Sequence, residues 1–271
     1  MIEATSLLEG SGLQGLQTGT LILIIVAGFA AGWVDAVVGG GGLLQLPALL
    51  LVPGISPVQA LATNKLGSVF GTTTSAVTYY RRAQPDLRTA IPMACIALAG
   101  SFGGAILATL LPENLIKPII IAALVAVGLF TLFKPTAGEL TQLRYTGRQH
   151  YAVAGVIGLV IGGYDGLIGP GTGSFLIIAM VAFMGYNFLA ASAKAKIVNM
   201  ATNLGALAFF LPTGHLLWGI GLVLGAANMA GGYLGARMAV SKGSKFIRIV
   251  FLSVVGALIL KLGYDVLFPA S

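Results

Sequence analysis

The chain has 271 residues, of which 57% are hydrophobic and 8% charged, with a mean hydropathy of +0.95 and a formal net charge of +7. Soluble domains carry roughly 25% charged residues, so a water-facing surface is excluded, and the long, recurrent apolar runs describe an all-α polytopic membrane protein set in a lipid bilayer. Its basic residues fall mostly in short connections between apolar runs, with no interleaved aromatics, which matches the positive-inside bias of membrane proteins and excludes a nucleic-acid partner.

Before the first apolar run stand Glu3 and Glu9 and no Lys or Arg. That is not the basic start of a signal peptide, and the first segment is expected to be retained. Five apolar segments follow, over 20–38, 43–52, 57–80, 89–111 and 115–133. After the polar stretch KPTAGELTQLRYTGRQH come five more, over 151–168, 173–185, 188–211, 215–238 and 246–268. This divides the chain into an N-terminal transmembrane repeat (1–134), a cytoplasmic linker (135–150) and a C-terminal inverted transmembrane repeat (151–271). The single cysteine, Cys95, excludes an internal disulfide and reads as a small buried hydrophobe. His150 and His215, in the linker and at a loop end, read as solvated surface residues.

The halves resemble each other. GFAAGWVDAVVGGGG (28–42) aligns with GLVIGGYDGLIGPGT (158–172) at an offset of 130 residues. ALATNKL aligns with ASAKAKI at 131, pairing Lys65 with Lys196, and Gly103, Gly104 and Lys117 align with Gly231, Gly232 and Lys245 at 128. Three matches in order near one offset indicate an internal duplication. If all ten segments span, each half crosses an odd number of times and the second is inverted. Arg81, Arg82, Arg88, Lys134, Arg144, Arg148, Arg237, Lys242, Lys245 and Arg248 then share one side, and only Lys117 and Lys261 lie on the other. If 43–52 and 173–185 merely dip in and return, the repeats become parallel and this bias disappears. The inverted arrangement is therefore expected, with the basic loops inside.

Segments 43–52 and 173–185 are short, and each follows a glycine-rich break: Gly39, Gly40, Gly41 and Gly42 in one half, and Gly169, Gly171, Thr172 and Gly173 in the other. Short, interrupted segments at matching positions of two halves point to a transporter binding site. Broken helices present main-chain N–H groups and a partial positive charge, which suits a small anionic substrate, and glycine lets the ligand approach closely. Packing is the other reading, and it is preferred for scattered glycines such as Gly103 and Gly128.

Lys65 and Lys196 fall deep in their segments, where a lysine is costly and must face protein or water. From Lys65 a polar stripe continues through Ser68, Thr72 and Ser75; from Lys196 it continues through Asn199 and Asn203. Either the lysines line a cationic cavity, or they pair with Asp35 and Asp165, or they snorkel. The two aspartates are candidates for proton coupling, for neutralising the lysines, or for capping the broken helices. Gln45, Asn64 and Thr172 are candidate hydrogen-bond partners of substrate, and Lys194 is a weaker candidate for the same lining. No metal site, cofactor motif or nucleophile–base constellation is present in the sequence, so an enzyme is not expected.

At these residues the sequence resembles the sulfite exporter family TauE/SafE, a group of bacterial membrane transporters. The resemblance rests on GWVDAVVGGGGLLQLPALL, ALATNKL, GGYDGLIGPGTGSF and AKAKIVN, and it covers essentially the whole chain. It implies a multi-pass protein of the bacterial inner membrane, a secondary carrier of sulfur-containing anions such as sulfite or organosulfonates including sulfoacetate. Proton coupling would then fall to Asp35 or Asp165. A passive anion channel and a carrier of non-sulfur organic anions are the alternatives.

Overall fold

The structure, a computed structural model, describes residue 12 and residues 16–112 and 140–267. The expected segment 115–133, Lys117, Gly128 and Lys134 lie outside them. Among the described residues there are helices and no strand. In chain order they are α1 (Thr18–Val38), α2 (Gly42–Leu50), α3 (Pro57–Ala83), α4 (Leu87–Leu110), α5 (Gly147–Leu167), α6 (Thr172–Ala179), α7 (Phe188–Phe210) and α8 (Trp218–Leu267). A π turn, Met180–Met184, extends α6. Gly243, at φ 72° and ψ −169°, interrupts α8 where two segments were expected.

Local chemistry sets the boundaries. Ser56 and Gln59 form a reciprocal capping box at the start of α3, with Pro57 at the first helical position. Asp86 and Asn187 accept main-chain N–H bonds at the starts of α4 and α7. Gly39, in the left-handed region at φ 83°, ends α1 by donating its N–H to the Asp35 carbonyl.

Large apolar side chains cover the surface, while charged side chains lie inside. Val26, Val156 and Val160 are 60%, 63% and 64% exposed, whereas Lys65 and Lys196 are 1% and 0% exposed. That distribution is stable only where the surrounding solvent is hydrocarbon. Among the described residues three helices, Thr18–Val38, Leu87–Leu110 and Trp218–Ile247, are long and apolar enough to cross a membrane. α3 and α7 are comparable in length but carry the polar stripes inward.

α2 has nine residues, about 14 Å of helix against a hydrocarbon core of about 30 Å. It does not cross alone. Val52, Pro53 and Gly54 at its end border the same cavity as Leu16, Gln17 and Thr20 at the start of α1, so α1 and α2 form a hairpin whose two ends lie on one side. α5 and α6 do the same: Gln142, just before α5, donates its N–H to the carbonyl of Gly185 at 2.7 Å, just after α6. The expectation that each short segment spans is therefore replaced by two helical hairpins bent at the glycine breaks. The physical reason is length.

The helices associate across the halves. α1 and α3 pack on α8, α5 and α7 pack on α4, and α3 meets α7 between the two groups. Glycines set the closest crossings. A Cβ on Gly231 or Gly32 would strike main chain of the facing helix in the α1–α8 contact, and one on Gly104 or Gly162 would do so between α4 and α5. Gly103, expected to pack, has nothing within 4 Å of the position a Cβ would take. Cys95, expected to be buried, is exposed on α4. The Cys95 side chain and the open side of Gly103 face the exterior of the bundle, where small residues carry no packing demand.

Tyr79 on α3 is fully buried and donates its hydroxyl to the carbonyl of Ala36 at 2.9 Å, in the last turn of α1. Tyr79→Phe is expected to lower unfolding stability by about 1 kcal/mol, a typical net value for one hydrogen bond, and to leave substrate specificity unchanged. Thermal unfolding in detergent measures the first and competition assays the second.

Candidate functional site

The two hairpin bends meet at the centre of the molecule. Ser174 donates its N–H to the Gly39 carbonyl at 3.0 Å and its hydroxyl to the Val38 carbonyl at 2.7 Å. Gly39 and Gly173 lie back to back: a Cβ on Gly173 would fall 2.5 Å from the Gly39 Cα. Gly169 and Gly171 adopt φ 91° and 83°, the left-handed region in which glycine carries no steric cost. The chain thus reverses twice, once from each half, around a single point.

Beside that point lies a polar cavity lined by Asp35, Gly39, Gly41, Gly42, Asn64, Lys65, Ser68, Thr72, Asp165, Gly169, Gly171, Thr172, Gly173, Asn199, Asn203 and Asn228. Its volume is about 20 Å³, on a measure by which one water needs roughly 10–15 Å³. The site is contracted around its own side chains. Most of the expected residues are brought together here, and three are not among the lining. Gly40 sits beside Leu43, behind the bend. Lys196 is sealed behind Asp35. Gln45 lies one layer back, where its amide donates to the Asn64 carbonyl and to Ser68 Oγ and accepts from Asn228 Nδ2 at 2.5 Å.

Both lysines are paired, each with the aspartate of the other half. Lys65 Nζ lies 2.8 Å from Asp165 Oδ2, and Lys196 Nζ lies 2.8 Å from Asp35 Oδ2. Each lysine is the ninth residue of its helix, counting from Pro57 in α3 and Phe188 in α7. Each aspartate lies in the last turn before a break. Of the readings the sequence leaves open, pairing with the aspartates is the one seen, and with all four groups ionised the site sums to zero charge. A carboxylate answers each ammonium because a lone buried charge is far more costly than a pair.

The second hairpin adds a hydroxyl. Thr172 Oγ1 lies 2.6 Å from Asp165 Oδ1 and 2.7 Å from the Gly169 carbonyl. On the opposite wall, Asn203 Nδ2 reaches toward Thr72 Oγ1 at 3.5 Å and bonds the Asn199 carbonyl at 2.9 Å. Asn64 Oδ1 is buried without a hydrogen-bond partner. Ser75, at the end of the sequence stripe, turns away to the Gly232 carbonyl.

Sequence reasoning missed Asn228. It is a lone amide in the run GLVLGAANMAGG, which is a readable signal, but its counterpart at an offset of 128 is Gly100, so the duplication did not mark it. Two other basic side chains belong elsewhere. Lys194 is buried and bonds the Asp86 carbonyl, lies 3.8 Å from the Asp86 carboxylate, and stands over the Tyr186 ring at 5.0 Å. It secures the start of α4 and does not line the cavity. His150, read from sequence as solvated, is 7% exposed, and its Nε2 lies 2.9 Å from Thr89 Oγ1 and 3.2 Å from the Tyr186 hydroxyl. It is buried because α5 begins at Gly147, earlier than expected, and carries it inward.

Residues 24–262 match the family described as Sulfite exporter TauE/SafE. The chain is 37% identical over 257 residues to a probable membrane transporter protein of Sinorhizobium, covering 95% of this chain and 97% of that one. It is 34% identical over 246 residues to a probable membrane transporter protein of Haemophilus influenzae, covering 90% and 95%. It is also 34% identical over 244 residues to the probable membrane transporter protein YfcA of Escherichia coli, covering 90% and 89%.

Proposed function

From the premise that the chain belongs to the TauE/SafE sulfite exporter family and is a membrane transporter, we propose that it is a secondary carrier of small sulfur-containing anions across the bacterial inner membrane. The observation that carries this reading is the meeting of two glycine-bent hairpins beside a cavity that holds Lys65, with amides from Asn64, Asn199, Asn203 and Asn228 around it. A sulfite or sulfonate group presents several acceptor oxygens, and this wall supplies an ammonium and amide donors. The glycines let main-chain N–H groups at the starts of α2 and α6 approach the same point.

Two inverted repeats, each opening with a hairpin, account for the architecture. A hairpin contributes no net crossing, so α3 and α7, which follow the two hairpins, run in opposite directions and the second half is inverted. The basic residues Arg81, Arg82, Arg88, Arg144, Arg148, Arg237, Lys242 and Lys245 then share the cytoplasmic side. The correspondence of α1–α8 with α5–α4 packing, and of the two crossed Lys–Asp pairs, supports the same symmetry. The moving units are the groups built on α8 and on α4, each assembled from both halves, and they rock about the α3–α7 contact.

The test is ligand-induced thermal stabilisation of purified protein by sulfite, sulfate, thiosulfate, methanesulfonate, sulfoacetate, taurine and lactate, followed by counterflow exchange in vesicles. Stabilisation follows RT ln(1 + [L]/Kd), about 2.7 kcal/mol at a hundredfold excess over Kd. The expected result is stabilisation and exchange with sulfite or a sulfonate and none with lactate. Stabilisation by lactate alone would replace the substrate class, and current without counterflow would replace the carrier by a channel.

A further inference from the structure

We propose that Asp165, served by Thr172, is the proton-carrying group of this transporter, and that it loads one proton with each singly charged anion so that the carrier crosses uncharged both empty and full. The inference rests on the anion-carrier reading and adds to it the coupling ion, its seat and its ratio.

The argument starts from charge. Lys65, Lys196, Asp35 and Asp165 sum to zero, and the contracted cavity holds little more than one water. An anion entering at Lys65 would leave the buried site with an uncompensated negative charge, which a low-dielectric interior penalises strongly. A proton arriving on one carboxylate removes that charge and frees the ammonium to face the substrate. The lysine exchanges one anionic partner for another, and no covalent bond changes beyond the O–H formed on the carboxyl group.

Two observations select Asp165 over Asp35. First, both members of the Lys65–Asp165 pair line the cavity, so an anion can take the carboxylate's place, whereas Lys196 is sealed behind Asp35. Second, a buried neutral carboxyl group needs an acceptor for its new O–H. Thr172 Oγ1 has one hydrogen and two oxygens within reach, Asp165 Oδ1 at 2.6 Å and the Gly169 carbonyl at 2.7 Å. With Asp165 ionised the hydroxyl donates to it. With Asp165 protonated the hydroxyl turns to Gly169 and accepts from Asp165. Either state is satisfied by rotation about a single bond. The position matching Thr172 in the first half is Gly42, so Asp35 lacks this switch.

The other ionisable groups around Asp165 do not substitute for it. Tyr164 on the same helix donates to the Pro170 carbonyl. Lys65 from α3 is the partner already described. Across the cavity, Asp35 from α1 and Lys196 from α7 hold each other, and Tyr79 from α3 donates to Ala36. Lys194 is tied to Asp86 at the start of α4.

The test uses the full chain in vesicles with labelled methanesulfonate, which stays singly charged across the working range, and labelled sulfite. With the membrane potential clamped at zero, one unit of pH gradient, acid on the uptake side, is expected to drive about tenfold accumulation of methanesulfonate, the ratio for one proton per anion. An imposed potential at equal pH is expected to drive none. Thr172→Val and Asp165→Asn are expected to lose gradient-driven accumulation. Thr172→Ser regains it, and Asp35→Asn keeps its pH dependence. Accumulation driven by potential, tenfold accumulation in Thr172→Val, or loss of pH dependence in Asp35→Asn alone would each overturn the inference. If Asp165→Asn does not fold, the Thr172→Val and Thr172→Ser pair decides. Absence of wild-type counterflow with either anion overturns the carrier reading itself, which separates the two failures.

Discussion

Lys65→Met is expected to abolish anion binding and transport and, at the same time, to lower unfolding stability by about 3–5 kcal/mol, the range for removing one partner of a buried ion pair. The two effects have different origins and a second substitution separates them. Lys65 and Asp165 have side-chain exposures of 1% and 3%, so the single change strands a carboxylate where water does not reach. Pairing Lys65→Met with Asp165→Asn removes the stranded charge while keeping both side chains near their original size. The double variant is expected to regain stability to within about 1 kcal/mol of wild type, because a buried pair adds little net stability over neutral groups of similar volume. Transport should not return, because the ammonium that meets the anion is absent. Thermal unfolding in detergent measures the first part and counterflow the second. Anion binding that survives Lys65→Met would remove this cavity from consideration as the substrate site. A double variant as unstable as the single one would mean that the pair is not the source of the loss.

Much of this arrangement was legible in the sequence because duplication writes a site twice. Asp35 and Asp165, Lys65 and Lys196, and the two glycine clusters recur near one offset, and each sits in an apolar run where its residue type is costly. The alternative that the lysines pair with the aspartates was also readable, but the partners were not. Nothing in the spacing says that Lys65 meets the aspartate of the other half, because the crossing arises from how α3 and α7 face each other. The hairpins escaped for a related reason. A nine-residue apolar stretch is too short to span, yet charge counting alone favours spanning, because it carries no sign of α1 and α2 turning back together. Asn228 was missed because α8 packs beside α1 and α3 through a contact between the halves. His150 was misplaced because its burial depends on Thr89 and Tyr186, which lie 61 and 36 residues away in sequence. Features fixed by local cost were visible, and features fixed by contacts between the halves were not.

Gly39→Ala is expected to be among the most damaging single methyl groups that can be added to this protein, and Gly103→Ala is the control that gives the comparison its meaning. At Gly39 three costs coincide. Its φ of 83° places any side chain in the left-handed region, worth roughly 1–2 kcal/mol against an L-residue. The added Cβ would overlap the main chain of Gly173, and main chain cannot rotate aside as a side chain can. Finally, the Gly39 carbonyl accepts from Ser174 N–H at 3.0 Å, so pushing the bends apart also breaks the bond that joins them. Together these place the expected loss above about 4 kcal/mol, at the severe end for point substitutions. Transport should be lost even if the protein is recovered folded at low temperature, because Gly41, Gly42, Gly171 and Gly173 line the cavity from the same two bends. Gly103 offers the opposite environment, an open position on α4 with no neighbour within 4 Å of the new atom. Alanine there is expected to change stability by no more than about 0.5–1 kcal/mol, in the stabilising direction, since glycine inside a helix carries a cost of that size relative to alanine. Expression, thermal unfolding and counterflow of the two variants side by side would test this. A well-folded, active Gly39→Ala would mean that the bends do not touch as described, and the shared cavity between the halves would have to be abandoned with them.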